Sequence, residues 1–414
     1  MLTKNMRAFK FCCVVLSACF FNIVSPVWAA DPPPQPQSGP GGRDYVVGDI
    51  VQKAIGDAKA PVLVYYSGSA PKEARTVIIF MHAWGAVNPV VYGGWIDHLV
   101  KKGHLVLWPR HQEMFRTGGS QSTDTAIEAL KTAFDILKND PDARPDVNRV
   151  AIVGHLAGAG VAVNVAARAS SVGLPIPKII FTAVPGGLAA EVLAEQAAKQ
   201  LNAKNTPKAP LSPSKGIPLA DLSQISANTF FISAIGDREH QPSERTTRRL
   251  FREASQIQPV NKVLLRLQSD DHGYPPHIMN LTAAGSYKAE YDISKVKLPV
   301  AAPLPKGQRQ QRVVRAPDAN LSGEQYQLVQ QMERSRVDLA DYLGFWKALD
   351  LTLIHGFQDQ DANGLRNDTR LPDMGRWSND WPVKRINIEA PKEIAPQAKT
   401  TDRATTGTAP TQRP

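Results

Sequence analysis

The chain has 414 residues, of which 43% are hydrophobic, and a formal net charge of +10. This length is sufficient for one large α/β domain with insertions. A positive excess this small, without a basic motif interleaved with aromatic residues, argues against nucleic-acid binding. The nine histidines do not show the paired spacing of a metal site, so we expect neither a metal nor a cofactor.

The N-terminal segment has the pattern of a secretory signal peptide. Lys4, Arg7 and Lys10 precede an apolar run from Phe11 to Val24, and Val27-Trp28-Ala29 offers small residues for cleavage. The apolar run is too short to span a bilayer, so we expect no transmembrane segment. The sequence therefore predicts a periplasmic or secreted protein.

All three cysteines, Cys12, Cys13 and Cys19, lie within this signal. Cleavage after Ala29 would leave a chain with no cysteine and a charge of about +7, which excludes disulfides and thiol catalysis. Residues 16–19 (Leu-Ser-Ala-Cys) also resemble a bacterial lipoprotein cleavage box, so anchoring through Cys19 stays open as the less favoured alternative.

Composition divides the remaining chain into five parts. Residues 30–42 form a Pro/Gly linker, and residues 43–290 contain the alternating strands and helices of a core. Residues 291–320 form a basic, Pro-rich connection that would suit an envelope surface, and residues 321–390 form a helical extension expected to pack on the core. Residues 391–414 are poor in large apolar residues and are predicted to be disordered.

Short β-rich runs alternate with helical patterns along the core. This alternation predicts a mostly parallel sheet with helices on both faces. In the extension, an amphipathic stripe from Leu339 to Leu353 predicts a helix that ends at Gly356. Thr123 or Asp124 is expected to cap the helix that contains Ile127. The strands are predicted at Val62–Tyr66, Thr76–Met81, His104–Trp108, Val150–Val153, Lys178–Val184, Thr229–Ile235 and Lys262–Gln268.

One turn organises this pattern. Gly154-His155-Leu156-Ala157-Gly158 follows a β-branched strand and precedes a helix, the context in which a G-x-S-x-G nucleophile elbow is expected. Its central residue is Leu156, and a leucine side chain has neither a lone pair nor a titratable proton. The sequence therefore describes a hydrolase scaffold without its nucleophile.

The order of these parts resembles the α/β-hydrolases, in particular bacterial exported esterase-like or lipase-like members. Residues 92–112, 341–350 and 374–383 are similar to segments of such proteins, and the resemblance covers residues 44–388. It implies an acid after one late strand and a histidine after the next. Glu239 occupies the acid position with Asp237 as the alternative, and His272 occupies the histidine position with His277 as a second candidate.

The resemblance also implies an oxyanion site. The turn His82-Ala83-Trp84-Gly85 is similar to the family's HGWG turn, whose backbone amide, here that of Trp84, acts with the amide of Ala157. His82 is expected to bond backbone near the turn. The family has glycine where this chain has Ala83, so a requirement for positive φ there would strain the turn.

These features favour a non-catalytic or strongly impaired hydrolase homologue with a pocket for an ester or another small apolar ligand. Two catalytic alternatives stay open. One is an active esterase with a substituted elbow, and the other is an enzyme that uses His272 and an acid as a general-base pair.

Overall fold

The computed structural model describes residues 29–69, 73–112, 118–194, 216–238, 240–300 and 324–389. The cysteines, Glu239, the C-terminal tail and most of the signal peptide and basic connection lie outside the described residues.

The described residues form one sheet of nine strands. Its inner strands are short and almost wholly apolar, as expected for strands that are covered on both faces. Their bounds are β1 Val51–Ile55, β2 Val62–Tyr66, β3 Arg75–Met81, β4 Leu105–Pro109, β5 Pro145–His155, β6 Ile179–Ala183, β7 Phe230–Ile235, β8 Lys262–Arg266 and β9 Asn387–Glu389.

The strand order is β1-β2-β4-β3-β5-β6-β7-β8-β9. The six strands from β4 to β8 in this order are parallel, whereas β2 is antiparallel to both neighbours and β9 is antiparallel to β8. The predicted mostly parallel sheet is confirmed. The order from β1 to β8, with β2 reversed, is that of the α/β-hydrolase fold.

Helices cover both faces of the sheet, because their apolar stripes belong to two separate clusters of buried side chains. Trp95 of the first helix and Leu349 of the long C-terminal helix lie in one cluster, and Leu130, Val161 and Leu250 lie in the other. The helices are α1 Gly93–Lys101, α2 Gly119–Leu137, α3 Ala157–Val172, α4 His240–Glu253, α5 Glu324–Glu333, a π-helical turn Ala340–Phe345 continued by α6 Trp346–Gln358, and α7 Asn363–Asn367.

Two predicted helix boundaries were wrong. Helix α2 begins at Gly119, and Thr123 is buried inside it, where its hydroxyl accepts a hydrogen bond from Asn164 of α3 (3.0 Å). Helix α6 continues past Gly356 to Gln358, because this glycine permits close packing rather than a helix end. A Cβ there would lie 2.7 Å from side-chain carbons of Ile179 on β6.

Residues 30–42, which composition assigns to a linker, lie against the folded core. The carbonyl of Ala30 accepts a hydrogen bond from the amide of Tyr274 (2.9 Å). The amide of Gly41 donates to the buried Asp350 carboxylate (2.7 Å). The chain is thus tied to helix α6 before the first strand begins.

Candidate functional site

The turn between β5 and α3 has the backbone of a nucleophile elbow. Leu156 adopts φ 49° and ψ −121°, a region that costs a non-glycine residue about 1–2 kcal/mol. A Cβ on Gly154 would lie 2.5 Å from the carbonyl oxygen of Gly158, and one on Gly158 would lie 2.2 Å from that of Met81. Both outer glycines are therefore required by the close approach of α3 to the sheet.

Leu156 itself fills the apex of this turn. Its amide donates to the carbonyl of Ala183 on β6 (3.2 Å), and its own carbonyl accepts from Ala159 (3.0 Å). The isobutyl group is half-buried and packs against the cluster that contains Trp95. An apolar group thus occupies the position from which an elbow serine would attack.

The neighbouring turn, residues 82–85, follows β3 and lies beside the start of α3. Gly85 has φ 81°, whereas Ala83 is not among the described residues with positive φ, so the strain expected at Ala83 is not found. The amide of Gly85 donates to the Gln112 side chain (2.8 Å). Within the described ranges, neither the amide of Trp84 nor that of Ala157 has a hydrogen-bond partner.

A buried hydrogen-bond chain joins the two turns. The amide of Ala83 donates to the Tyr92 hydroxyl (3.2 Å), and this hydroxyl lies 2.7 Å from Nδ1 of His155. Nε2 of His155 lies 2.9 Å from the carbonyl oxygen of Leu281 and must donate to it. Nδ1 therefore accepts the hydroxyl proton of Tyr92, which assigns the tautomer of the neutral ring.

Burial keeps this chain neutral. It lowers the pKa of His155 to about 4, and it raises the pKa of the Tyr92 hydroxyl. Tyr92 and His155 are 63 residues apart. Sequence reasoning missed both as positioning residues, although His155 stands beside the elbow residue itself.

His82 bonds the backbone, at Nδ1 to the carbonyl oxygen of Ala83 (2.8 Å). Its ring stacks on that of His111 with the centroids 3.9 Å apart, and burial lowers the pKa of His82 to about 4. Its Nε2 is buried with no partner. Because the neutral ring donates from Nδ1, Nε2 is a buried acceptor.

A segment after β8, residues 277–288, runs across the carboxyl ends of several strands, and we call it the crossing segment. At Met279 its carbonyl accepts from the amide of Arg238 after β7 (3.1 Å). At Leu281 it meets His155, and at Ala284 its carbonyl accepts from the Trp95 indole (3.0 Å). The edge where α/β folds place their sites is therefore bridged by main chain.

The structure does not join His272 to Asp237. His272 is exposed and has Asn379 and Trp381 as neighbours, with Nε2 lying 2.9 Å from the Asn379 amide nitrogen. The Asp237 carboxylate accepts from the amide (2.9 Å) and hydroxyl (2.5 Å) of Ser269. Glu239, the favoured acid, lies outside the described residues.

His277, the second candidate for the histidine position, lies close to the acids of this edge. His277 is buried, and its backbone exchanges two 2.8 Å hydrogen bonds with Asp270. Desolvation lowers the pKa of His277 to about 4, partly opposed by the charges of Asp270 and Asp237. Its Nε2 has no hydrogen-bond partner.

The described residues lack two features. No cluster of three or more histidine, cysteine, aspartate or glutamate side chains there is arranged to hold a metal ion. No described helix combines the length and apolar composition needed to cross a bilayer.

No protein-family model matches this chain, and no curated protein matches its sequence. Among solved structures, an esterase from the fungus Rhizomucor miehei is similar over 60% of this chain and 81% of its own, with 11% identity and a TM-score of 0.41. Carboxyl esterase 2 from Tuber melanosporum is similar over 57% and 81%, with 16% identity and a TM-score of 0.40. Brefeldin A esterase, a bacterial homologue of human hormone-sensitive lipase, is similar over 53% and 68%, with 12% identity and a TM-score of 0.37.

Proposed function

We propose that this chain is an exported, non-catalytic or strongly impaired homologue of esterase-like α/β-hydrolases that binds a small carbonyl or carboxylate ligand. The observation that carries the proposal is Leu156 at the apex of a strained elbow. Removing the serine of a catalytic triad typically lowers turnover by about a million-fold. Leucine adds to this loss, because its side chain also fills the space of a tetrahedral intermediate.

The position of His272 supports the same conclusion. A general base must reach the proton that it abstracts, and His272 instead points into an exposed contact with Asn379 and Trp381. Restoring a hydroxyl at residue 156 would therefore not by itself restore the triad.

The parts that remain suit binding. The amides of Trp84 and Ala157 are unpartnered donors within the described residues, and the Tyr92–His155 chain fixes both turns in place. A ligand oxygen with partial negative charge would accept from two such amides. The half-buried Leu156 would supply an apolar contact beside them.

A thermal-shift titration with a short-chain ester and its free acid tests the binding half of this proposal. We expect the wild-type protein to be stabilised in proportion to ligand occupancy, and Leu156→Trp to lose the effect because the larger side chain fills the site. Val147→Trp is the matched control, since Val147 is an exposed strand residue. Equal shifts in all three proteins, or none in the wild type, would refute the assignment.

The catalytic half is tested with a fluorophosphonate probe that labels activated serines. We expect no mass increase in the mature protein, because no serine stands on the elbow. Stoichiometric labelling would show that a nucleophile exists elsewhere.

Export rests on the pattern of residues 1–29 and is tested by cell fractionation. We expect the protein in the periplasm or medium with Ala30 as its first residue. A Cys19→Ser variant separates the two cleavage sites, since processing at Cys19 would be lost with the thiol.

A further inference from the structure

Two neighbouring loops on the surface carry exposed aromatic side chains that the proposed function does not use. Tyr274 is 71% exposed and Trp381 is 58% exposed, and the His272 ring is also exposed. His272 stacks on Trp381 with the ring centroids 5.3 Å apart and the planes 15° apart. We call the stacked rings of His272 and Trp381 the aromatic platform, and Tyr274 lies two residues from His272 in the same loop.

The buried side chain of Trp377 holds the two loops of the platform together. Trp377 is buried, and its indole N–H donates to the Asp270 carboxylate (3.3 Å). Its ring lies so close to Gly273 that a Cβ there would be 2.3 Å away. The loop that carries His272 and the loop that carries Trp381 are therefore fixed to each other.

The backbone turn that presents Trp381 is closed by hydrogen bonds. The carbonyl of Trp381 accepts from the amide of Trp377 (2.8 Å), and the amide of Asp380 donates to the carbonyl of Trp377 (2.8 Å). Asp380 has φ 66°, in the left-handed region, and its carbonyl accepts from Arg376 (2.8 Å). This turn keeps the Trp381 indole 58% exposed to solvent, and an exposed indole beside a second exposed ring offers a binding surface.

The side chain of Asn379 fixes the ring of His272. Its carbonyl oxygen accepts from the amide of Trp381 (3.2 Å), so its NH₂ group faces Nε2 of His272 (2.9 Å). Nε2 accepts from this NH₂ group, and Oδ1 of Asn379 also lies 3.3 Å from Nε2, so the ring adds polar nitrogen atoms to the edge of the platform. The flat apolar surface thus has a hydrogen-bonding rim.

The rim carries charges of both signs. The side chains of Asp380 and Arg376 are 87% and 60% exposed, and Asp271 is also exposed. A pyranose ring has an apolar C–H face and hydroxyl groups around its edge, so its face fits the stacked rings and its hydroxyls fit the rim. Carboxylates at the rim disfavour an anionic bilayer surface.

The backbone of the platform also argues against a peptide strand. The amide of Tyr274 already donates to Ala30, and the amide and carbonyl that close the Trp381 turn bond each other. Strand addition requires free main-chain groups, whereas a sugar is recognised by side chains. We propose that the aromatic platform binds pyranose rings of a glycan, separately from the elbow site.

Saturation-transfer NMR titrations with tetramers of N-acetylglucosamine and of glucose test this proposal. We expect the wild type to bind at least one tetramer saturably. The affinity should fall at least about tenfold in Trp381→Ala and by less in His272→Ala. Tyr326→Ala is the matched control, because Tyr326 is a 39% exposed aromatic on helix α5. We expect this control to bind as the wild type does.

Three results would overturn the proposal. They are no binding of either tetramer by the wild type, equal binding by Trp381→Ala, and wild-type binding to phosphatidylglycerol vesicles that Trp381→Ala abolishes. The thermal-shift test of the elbow site does not depend on any of them, since Trp381 and Leu156 lie in different places.

Discussion

The two ends of the candidate site, the elbow side and the histidine side, differ in how their residues are held. On the elbow side, the strained turn at Leu156 and the turn at residues 82–85 are joined by the buried Tyr92–His155 chain. On the histidine side, His272 contacts Asn379 and Trp381 at the surface. The comparison teaches that the geometry of the elbow turn depends on packing and buried hydrogen bonds, and that this geometry forms with leucine at its centre.

Acid should destabilise the fold through its buried histidines, two of which lie on the elbow side. Burial lowers the pKa of both His82 and His155 to about 4, from an ordinary value near 6.5. Well above pH 6.5, both histidines are neutral in the folded and in the unfolded chain, and the free energy of unfolding has its full value. As the pH falls towards 4 the unfolded chain takes up protons that the folded chain excludes, so the free energy of unfolding falls by about 3 kcal/mol for each ring.

Urea denaturation at a series of pH values checks this expectation. His155→Gln should give a shallower pH dependence, because one of the buried histidine rings that contribute to it has been removed. A dependence identical to that of the wild type would show that His155 is not held neutral.

Gly158→Ala should destabilise the fold by about 3 kcal/mol, since the added Cβ would meet the carbonyl oxygens of Met81 and His82 at 2.2 and 2.5 Å. Chemical denaturation measures the loss. Gly186→Ala is the matched control, because a Cβ there has no neighbour within 4 Å. Similar losses in the two variants would contradict the tight approach of α3 to β3.

Tyr92→Phe should cost about 2 kcal/mol, because it leaves the amide of Ala83 and Nδ1 of His155 buried without partners. His272→Ala should change the free energy of unfolding by less than about 0.5 kcal/mol, as for most exposed side chains. Chemical denaturation measures both losses of unfolding free energy. A larger loss in His272→Ala than in Tyr92→Phe would contradict the difference between the two sides.

Local sequence patterns were sufficient for the sheet and the elbow. Alternation of β-rich runs with helices fixes a parallel α/β sheet, and two glycines around Leu156 predict a tight turn. Both signals are short-range, because they depend on residues that are neighbours in the chain.

The contacts that decide the site are long-range and were not predicted. The Tyr92–His155 chain joins residues 63 apart, and His272 meets Asn379 across 107 residues. The place of His272 depends on how the Trp377 ring packs on Gly273, which no periodicity indicates. The same is true of residues 30–42, whose composition is typical of a linker although Gly41 bonds the buried Asp350.

Hydrolysis of short-chain nitrophenyl esters by the mature protein and by Leu156→Ser tests the central claim most directly. We expect no turnover above the buffer rate in the wild type. Leu156→Ser should gain at most slow hydrolysis that His272→Ala leaves unchanged, because His272 does not face the elbow. Turnover by the wild type, or turnover by Leu156→Ser that is lost with His272, would contradict the account.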